Sequence, residues 1–196
     1  HGFERMSVRA VTREAGANLA AVNYYFGGKE GLLFAVFESL ILPMNEARLR
    51  RLDASLEESG GAPLTVEALL DALLVPMAET TEGSHDGPEV LLRALARLLS
   101  DGDEVMHRID RECFIEIKRR FLAEFRRTLP ELPEAEVQAR FHFVIGSVVG
   151  TFLRHGPAVR VGDLPPQSLF DVISRLRNFL SAGFRAPLPD AFVASA

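Results

Sequence analysis

The sequence predicts an all-α fold: a small helix-turn-helix head followed by a longer helical bundle. Apolar residues recur at helical spacing through most of the chain, and no stretch alternates apolar and polar residues between turn signals as a half-buried strand would. Glycines, prolines and N-cap residues punctuate this pattern at helix-sized intervals.

The elements follow in order. Residues 7–15 read as a short helix with Ser7 as its N-cap, its hydroxyl expected to accept a first-turn N–H. Val8, Val11 and Ala15 give that helix one apolar face. Gly16 ends it in the left-handed conformation that glycine adopts without a Cβ penalty. Asn18 caps a second short helix, Leu19 to Phe26, closed by Gly27 and Gly28. A long helix then runs from Lys29 or Glu30 toward Glu58 through Leu33, Val36, Phe37, Leu40, Ile41 and Met44, kinked at Pro43 and resuming at Leu49, Leu52 and Leu56. Residues 59–63 are a loop. Thr65 caps a helix carrying Val66, Leu69, Leu70, Leu73 and Met77, with a second kink at Pro76.

Residues 80–87 read as a flexible connection, and Pro88 opens a helix through Leu91, Leu95, Leu98 and Leu99. Asp101 or Asp103 caps the next helix, which reaches Thr128 with the stripe Met106, Ile109, Cys113, Ile117, Phe121 and Phe125. Pro130 ends it, and Pro133 begins another that extends to Arg154. Residues 155–166 form a loop, a last helix spans residues 167–182, and the tail 183–196 is expected to be loosely held. The expected division is a head at 1–38 and a body at 39–196.

Composition narrows the function classes. With 47% hydrophobic and 25% charged residues the chain is an ordinary globular protein. A net charge of −5 argues against coating nucleic acid over the whole surface, but residues 1–31 carry Arg5, Arg9, Arg13 and Lys29 against Glu4, Glu14 and Glu30, a slightly basic head on an acidic body. The single cysteine, Cys113, forms no internal disulfide and suits a cytoplasmic location. No signal peptide is expected, because HGFERMSVRA lacks an apolar stretch behind a basic start. The apolar run 141–153 includes His142 and falls short of the roughly 20 residues a membrane span needs, so no membrane partner is expected.

No cofactor and no metal are expected. His107 and Asp110 give only an H-x-x-D fragment without further ligands at telling spacing. Cys113 lies in the apolar stripe, with His107 on a different helix face, and reads as a buried structural thiol. Lys118-Arg119-Arg120 reads as a solvated face, as do Arg93 and Arg97, for which an anionic ligand is the alternative.

Helix, glycine-centred turn and second short helix make a helix-turn-helix, whose second helix lies in a DNA major groove. Here that recognition helix is Leu19-Ala20-Ala21-Val22-Asn23-Tyr24-Tyr25-Phe26. Val22 and Phe26 are expected to pack inward, leaving Ala20, Ala21, Asn23, Tyr24 and Tyr25 toward the groove. Small residues let the helix sit deep, alanine can touch a thymine methyl, and Asn23 can bond adenine. Lys29 at the next helix N-terminus suits a phosphate, as do Arg9 and Ser7 at the first. The expected DNA contacts are therefore Ser7, Val8, Arg9, Asn18, Leu19, Ala20, Ala21, Asn23, Tyr24, Tyr25 and Lys29.

Residues 7–37 resemble the DNA-binding region of TetR-family regulators. The matching features are Ser7-Val8-Arg9, Ala15-Gly16, Tyr25-Phe26, Lys29-Glu30 and Leu32. Asn23 stands where that family commonly has tyrosine, and Gly28 replaces its usual Ser or Thr cap, a change worth a few tenths of a kcal/mol. The family's basic first helix would precede residue 1, so the chain is expected to be a shortened form.

The resemblance implies a dimeric repressor of a palindromic operator, released by a small effector bound in the body. Residues 129–150 and the head variant resemble a subgroup that responds to fatty acids or their acyl thioesters. The expected ligand residues are Leu73, Met77, Leu95, Ile109, Cys113, Phe114, Ile117 and Phe143. The expected dimer residues are Phe143, Gly146, Ser147, Gly150, Phe170, Ile173, Leu176 and Leu180. The spacing of Gly146 and Gly150 lets a helix approach closely, either from a partner or from within the subunit. The competing functions are a helical-bundle enzyme, for which no nucleophile–base set is present in the sequence, and a protein-interaction adaptor.

Overall fold

The computed structural model describes residues 7–82, 104–153 and 168–188, and among these every regular element is helical. In chain order they are α1 (Val8–Glu14), α2 (Leu19–Phe26), α3 (Lys29–Glu58), α4 (Val66–Glu82), α5 (Glu104–Ile109), a π-helical segment (Asp110–Phe114), α6 (Ile115–Thr128), α7 (Glu134–Leu153) and α8 (Leu169–Phe184). The expected helix over 88–99 and the loop 155–166 lie outside the described residues. Residues 80–82, expected in a connection, continue α4. None of the described helices is long and apolar enough to cross a membrane.

The centre of the body is α4. Val66, Leu69, Leu70, Leu73, Leu74, Met77 and Ala78 are all buried, so this helix is apolar nearly all round. It packs against α3, α6 and α8. Thr65 Oγ1 caps it by accepting the Ala68 N–H at 3.1 Å. Pro76 is buried inside it.

The stripe predicted along 106–125 is buried from Ile109 to Phe125, but the helix is not uniform. Its apolar residues 109, 113, 117, 121 and 125 repeat every four positions, more slowly than the 3.6-residue turn. The wider π turn at 110–114 keeps Ile109, Cys113 and Ile117 all facing inward.

The last helix is better tied down than the sequence suggests. Ser168 and Asp171 form a capping box, each side chain bonding the other's backbone N–H. At the other end Phe184 is buried and stacks on Phe125 with ring centroids 4.3 Å apart. The buried Arg140 donates from Nη1 to the carbonyls of Phe184 (2.8 Å) and Gly183 (3.2 Å), and from Nε to Glu136 (2.7 Å). A cation there meets the negative end of the helix dipole. Residues 183 and 184, expected in a loose tail, instead continue α8, and Phe184 belongs to the core. Arg185 adds a bidentate pair to Glu67 across to α4, which holds the Glu67 carboxyl down at about 2.

Replacing Phe184 with alanine should destabilise the fold by about 3–5 kcal/mol, read as a lowered urea midpoint. A midpoint unchanged from the parent would mean that α8 does not close the core.

Candidate functional site

The head is built on local signals. Gly16 (φ 62°) lets the chain leave α1, with the Ala17 N–H bonding the Thr12 carbonyl at 2.8 Å and the Gly16 N–H bonding Arg13 at 3.3 Å. Asn18 then opens α2, its Oδ1 accepting the Ala20 N–H at 2.8 Å. Val22 and Thr12 are buried between the short helices and α3, and Thr12 had no place in the expected apolar face.

α2 presents a polar and aromatic surface. Tyr24 and Tyr25 are 83% and 75% exposed, with their rings edge to face at 5.1 Å. Asn23 and Ala20 are exposed beside them, while Ala21 and Leu19 are half-buried. Phe26, expected inward, is 39% exposed: it stands in the last turn, beyond the cover that α1 gives Val22.

Two details change roles within the expected DNA contacts, and a third concerns the cap of α3. The Asn18 side chain is already used to cap α2, so it positions the helix. Ser7 sits at the N-cap of α1 in extended backbone, but no side-chain cap bond forms: its carbonyl, not its hydroxyl, accepts the first N–H groups. Gly28 at the N-cap of α3 has φ 116°, a conformation that the family's usual Ser or Thr would adopt only with strain, so the glycine is more than a weak cap here. Ser7 and Arg9 are exposed and Val8 half-buried at α1, and Lys29 is half-buried at the first position of α3.

The body contains a cavity of about 560 Å³, lined by residues of α3, α4, the π segment, α6 and α7. Leu73, Met77, Phe114 and Ile117 of the expected ligand set line it. Ile109 and Cys113 do not: they are buried in the packed core. Phe143 points away, 64% exposed, and Leu95 lies outside the described residues, as do Arg93 and Arg97. The lining is mostly apolar, with Ile41, Met44, Leu122 and Phe141 among its walls.

Sequence reading missed the polar feature of this cavity. Arg48, 7% exposed, lines it from α3. Its Nε donates to the Leu73 carbonyl of α4 at 2.9 Å, and its Nη1 donates to Asn45 Oδ1 at 2.8 Å. The buried Asn45 in turn donates from Nδ2 to the Cys113 carbonyl, inside the π segment, at 2.6 Å. Burial pulls the Arg48 guanidinium down to about 10. The available signal was position: Asn45 and Arg48 occupy the inward face of α3 between Ile41, Met44 and Leu52.

The expected dimer residues divide. Phe143, Gly146, Gly150 and Phe170 are exposed, and Ser147 and Leu176 half-buried. A Cβ added at Gly146 or Gly150 would meet nothing within 4 Å among the described residues, so no close packing against those residues requires a glycine there. Ile173 and Leu180 are only 3% and 5% exposed; they face the subunit's own core and have no surface to give a partner. Phe179, not anticipated, is 71% exposed on α8.

Burial, reinforced by the carboxylates of Glu38 and Glu112, raises the Cys113 thiol above its ordinary pKa. Its alkylation by iodoacetamide at pH 8 should be slower in the folded chain than in urea by about tenfold or more. Equal rates would contradict a buried, protonated thiol.

Comparison with known proteins agrees with this geometry. Residues 1–36 match the family described as "Bacterial regulatory proteins, tetR family", and residues 71–183 match "Tetracyclin repressor-like, C-terminal domain". The HTH-type transcriptional regulator BetI 1 of Chromohalobacter salexigens is 25% identical over 173 residues, covering 86% of this chain and 74% of that protein. The HTH-type transcriptional regulator BetI of Escherichia coli is 24% identical over 169 residues, covering 84% and 78%.

Proposed function

From the premise that the chain belongs to the TetR family of bacterial regulatory proteins, we propose that its residues 1–38 read a palindromic operator and that residues 39–196 dimerise and bind a small amphipathic effector. Family membership makes it a ligand-responsive DNA-binding regulator rather than an enzyme or a DNA-independent adaptor. The observation that carries the DNA assignment is the exposed face of α2, where Asn23, Tyr24 and Tyr25 stand out on a helix held by its cap and by Val22. Leaving these aromatic and amide groups in water serves no packing purpose.

In a dimer the two copies of α2 would enter major grooves one helical turn apart, about 34 Å, or a multiple of it. Asn23 would read base edges, and Arg9 and Lys29 would meet phosphates. The effector would occupy the cavity behind α3, a fatty-acid-like molecule fitting its apolar walls, and would favour release from the operator. By linkage it weakens DNA binding only as far as it prefers the conformer that does not fit the operator. The place of work proposed is the cytoplasm, where the operator is.

The proposed interface uses the exposed faces of α7 and α8: Phe143, Gly146, Ser147 and Gly150 with Phe179 and Leu176. Phe143, Ser147 and Gly150 follow i, i+4, i+7 and share one face of α7. Two-fold symmetry of this surface matches the two-fold symmetry of a palindrome.

Lys29→Ala should weaken binding to all duplexes alike and make the salt dependence shallower by about one unit of slope. Asn23→Ala should instead change the preferred bases, by about 1–3 kcal/mol at one position, in a binding-site selection assay. An equal loss on every sequence would remove Asn23 from base recognition. For the interface, Phe179→Glu should raise the dimer dissociation constant at least about tenfold in sedimentation equilibrium, with the monomer still folded. A dissociation constant like the parent's would place the interface elsewhere.

A further inference from the structure

Among the described residues, the charge of the cavity's lining is unbalanced. Arg48 is a buried cation whose bonding partners there are a backbone carbonyl and an amide oxygen. Asp110 also lines the cavity, but its exposed carboxylate pairs with the half-buried Lys118 of the same lining. The remaining polar members, Gln138 and His142, are exposed and add no negative charge. Those exposed residues face water, whereas Arg48 is the buried charged group of the lining. Desolvating a guanidinium without a counter-charge is costly. A long Arg side chain ordinarily extends its head to water, whereas this one is fixed in place by Leu73 and Asn45.

We infer that the cavity takes an anionic amphipath head first, its carboxylate or similar oxyanion docking on the buried Arg48 guanidinium and its hydrocarbon chain lying against Met44, Leu73, Met77, Phe114 and Phe141. Guanidinium and oxyanion then form a charge-assisted hydrogen-bonded pair in a low-dielectric site, and the anion neutralises a charge the fold has already desolvated. Because the charge goes in first, the ligand is a free acid. An acyl thioester would have to enter by its uncharged tail and would leave Arg48 unpaired. This inference rests on the reading of the chain as an effector-controlled regulator, and it makes Arg48 the residue that sets effector charge.

The test measures binding to the full chain by calorimetry without DNA, with three probes of one chain length below their micelle concentrations: dodecanoate, dodecanol and dodecyltrimethylammonium. Dodecanoate should bind at least about tenfold more tightly than either other probe, as a hydrogen bond to a charged group implies. Arg48→Met, shorter and uncharged, should abolish that preference, bringing the dodecanoate affinity to within about twofold of the dodecanol affinity at whatever level the two then share. Arg48→Lys should keep part of the preference.

Equal affinity of the parent for dodecanoate and dodecanol would overturn the inference without recourse to any variant, as would absence of saturable dodecanoate binding or an unchanged preference in Arg48→Met. Operator binding is measured separately. A chain that binds a duplex but not dodecanoate keeps its function and loses this inference. One that binds dodecanoate but no duplex loses the regulatory reading and keeps the site.

Discussion

A buried arginine with no carboxylate partner among the described residues is the constraint around which the body is arranged. Arg48 holds α3 to α4 through the Leu73 carbonyl, and through Asn45 it holds α3 to the π segment at Cys113. Three walls of the cavity are thereby joined by hydrogen bonds, two of them donated by the charged guanidinium. Such bonds are strong in a low dielectric and costly to break unreplaced. They fix where the walls stand, while the apolar side chains around them only fill space. The surrounding core, α4 above all, supplies the burial that offsets the desolvation of the guanidinium.

The same helix that carries Arg48 also carries the end of the head. From Lys29 to Arg48, α3 continues unbroken through nineteen residue steps, about 28 Å at 1.5 Å per residue. The boundary proposed at residue 38 thus falls inside a continuous helix, and the two functional regions share a stiff element rather than a linker. Pro43 lies between them. It removes the bond its N–H would have made to the Ser39 carbonyl, so the helix is locally softer where the cavity wall begins. In the proposed function, a change in the contacts of Arg48 and Met44 would reach the head as a change in the direction of one helix, both sites biasing the same element.

Much of this was legible from residue types. Caps and glycines act over three or four residues, so the turn between α1 and α2, the Asn18 cap, the Thr65 cap and the break at Pro130–Pro133 could be read directly. Helix existence followed from periodicity. Facing did not: α8 has apolar residues on more than one side, and spacing cannot say which side the subunit covers itself, so Ile173 and Leu180 were assigned outward while Phe179 went unnoticed. The π segment differs from an α-helix only in hydrogen-bond register, and no residue type announces it; the four-residue spacing of the stripe was its only trace. The Arg48–Asn45 network escaped because attention to apolar positions passes over polar residues on an inward face. Its partners, Leu73 and Cys113, are 25 and 68 residues away in the chain.

The glycines of α7 connect the cavity to the proposed dimer. Glycine inside a helix costs about 1 kcal/mol relative to alanine, and Gly146 and Gly150 gain no intrasubunit contact, among the described residues, to offset that cost. A local choice that opposes the local structure is expected where another requirement overrides it. A second subunit approaching closely along this face, as proposed, would provide that requirement. Gly146 also lines the cavity while remaining exposed. The occupant of the cavity and the partner subunit would therefore meet the same turn of α7 from different sides. In such an arrangement the effector acts on the inner contacts of α3 and on the packing of the dimer together, and the spacing of the two heads depends on both.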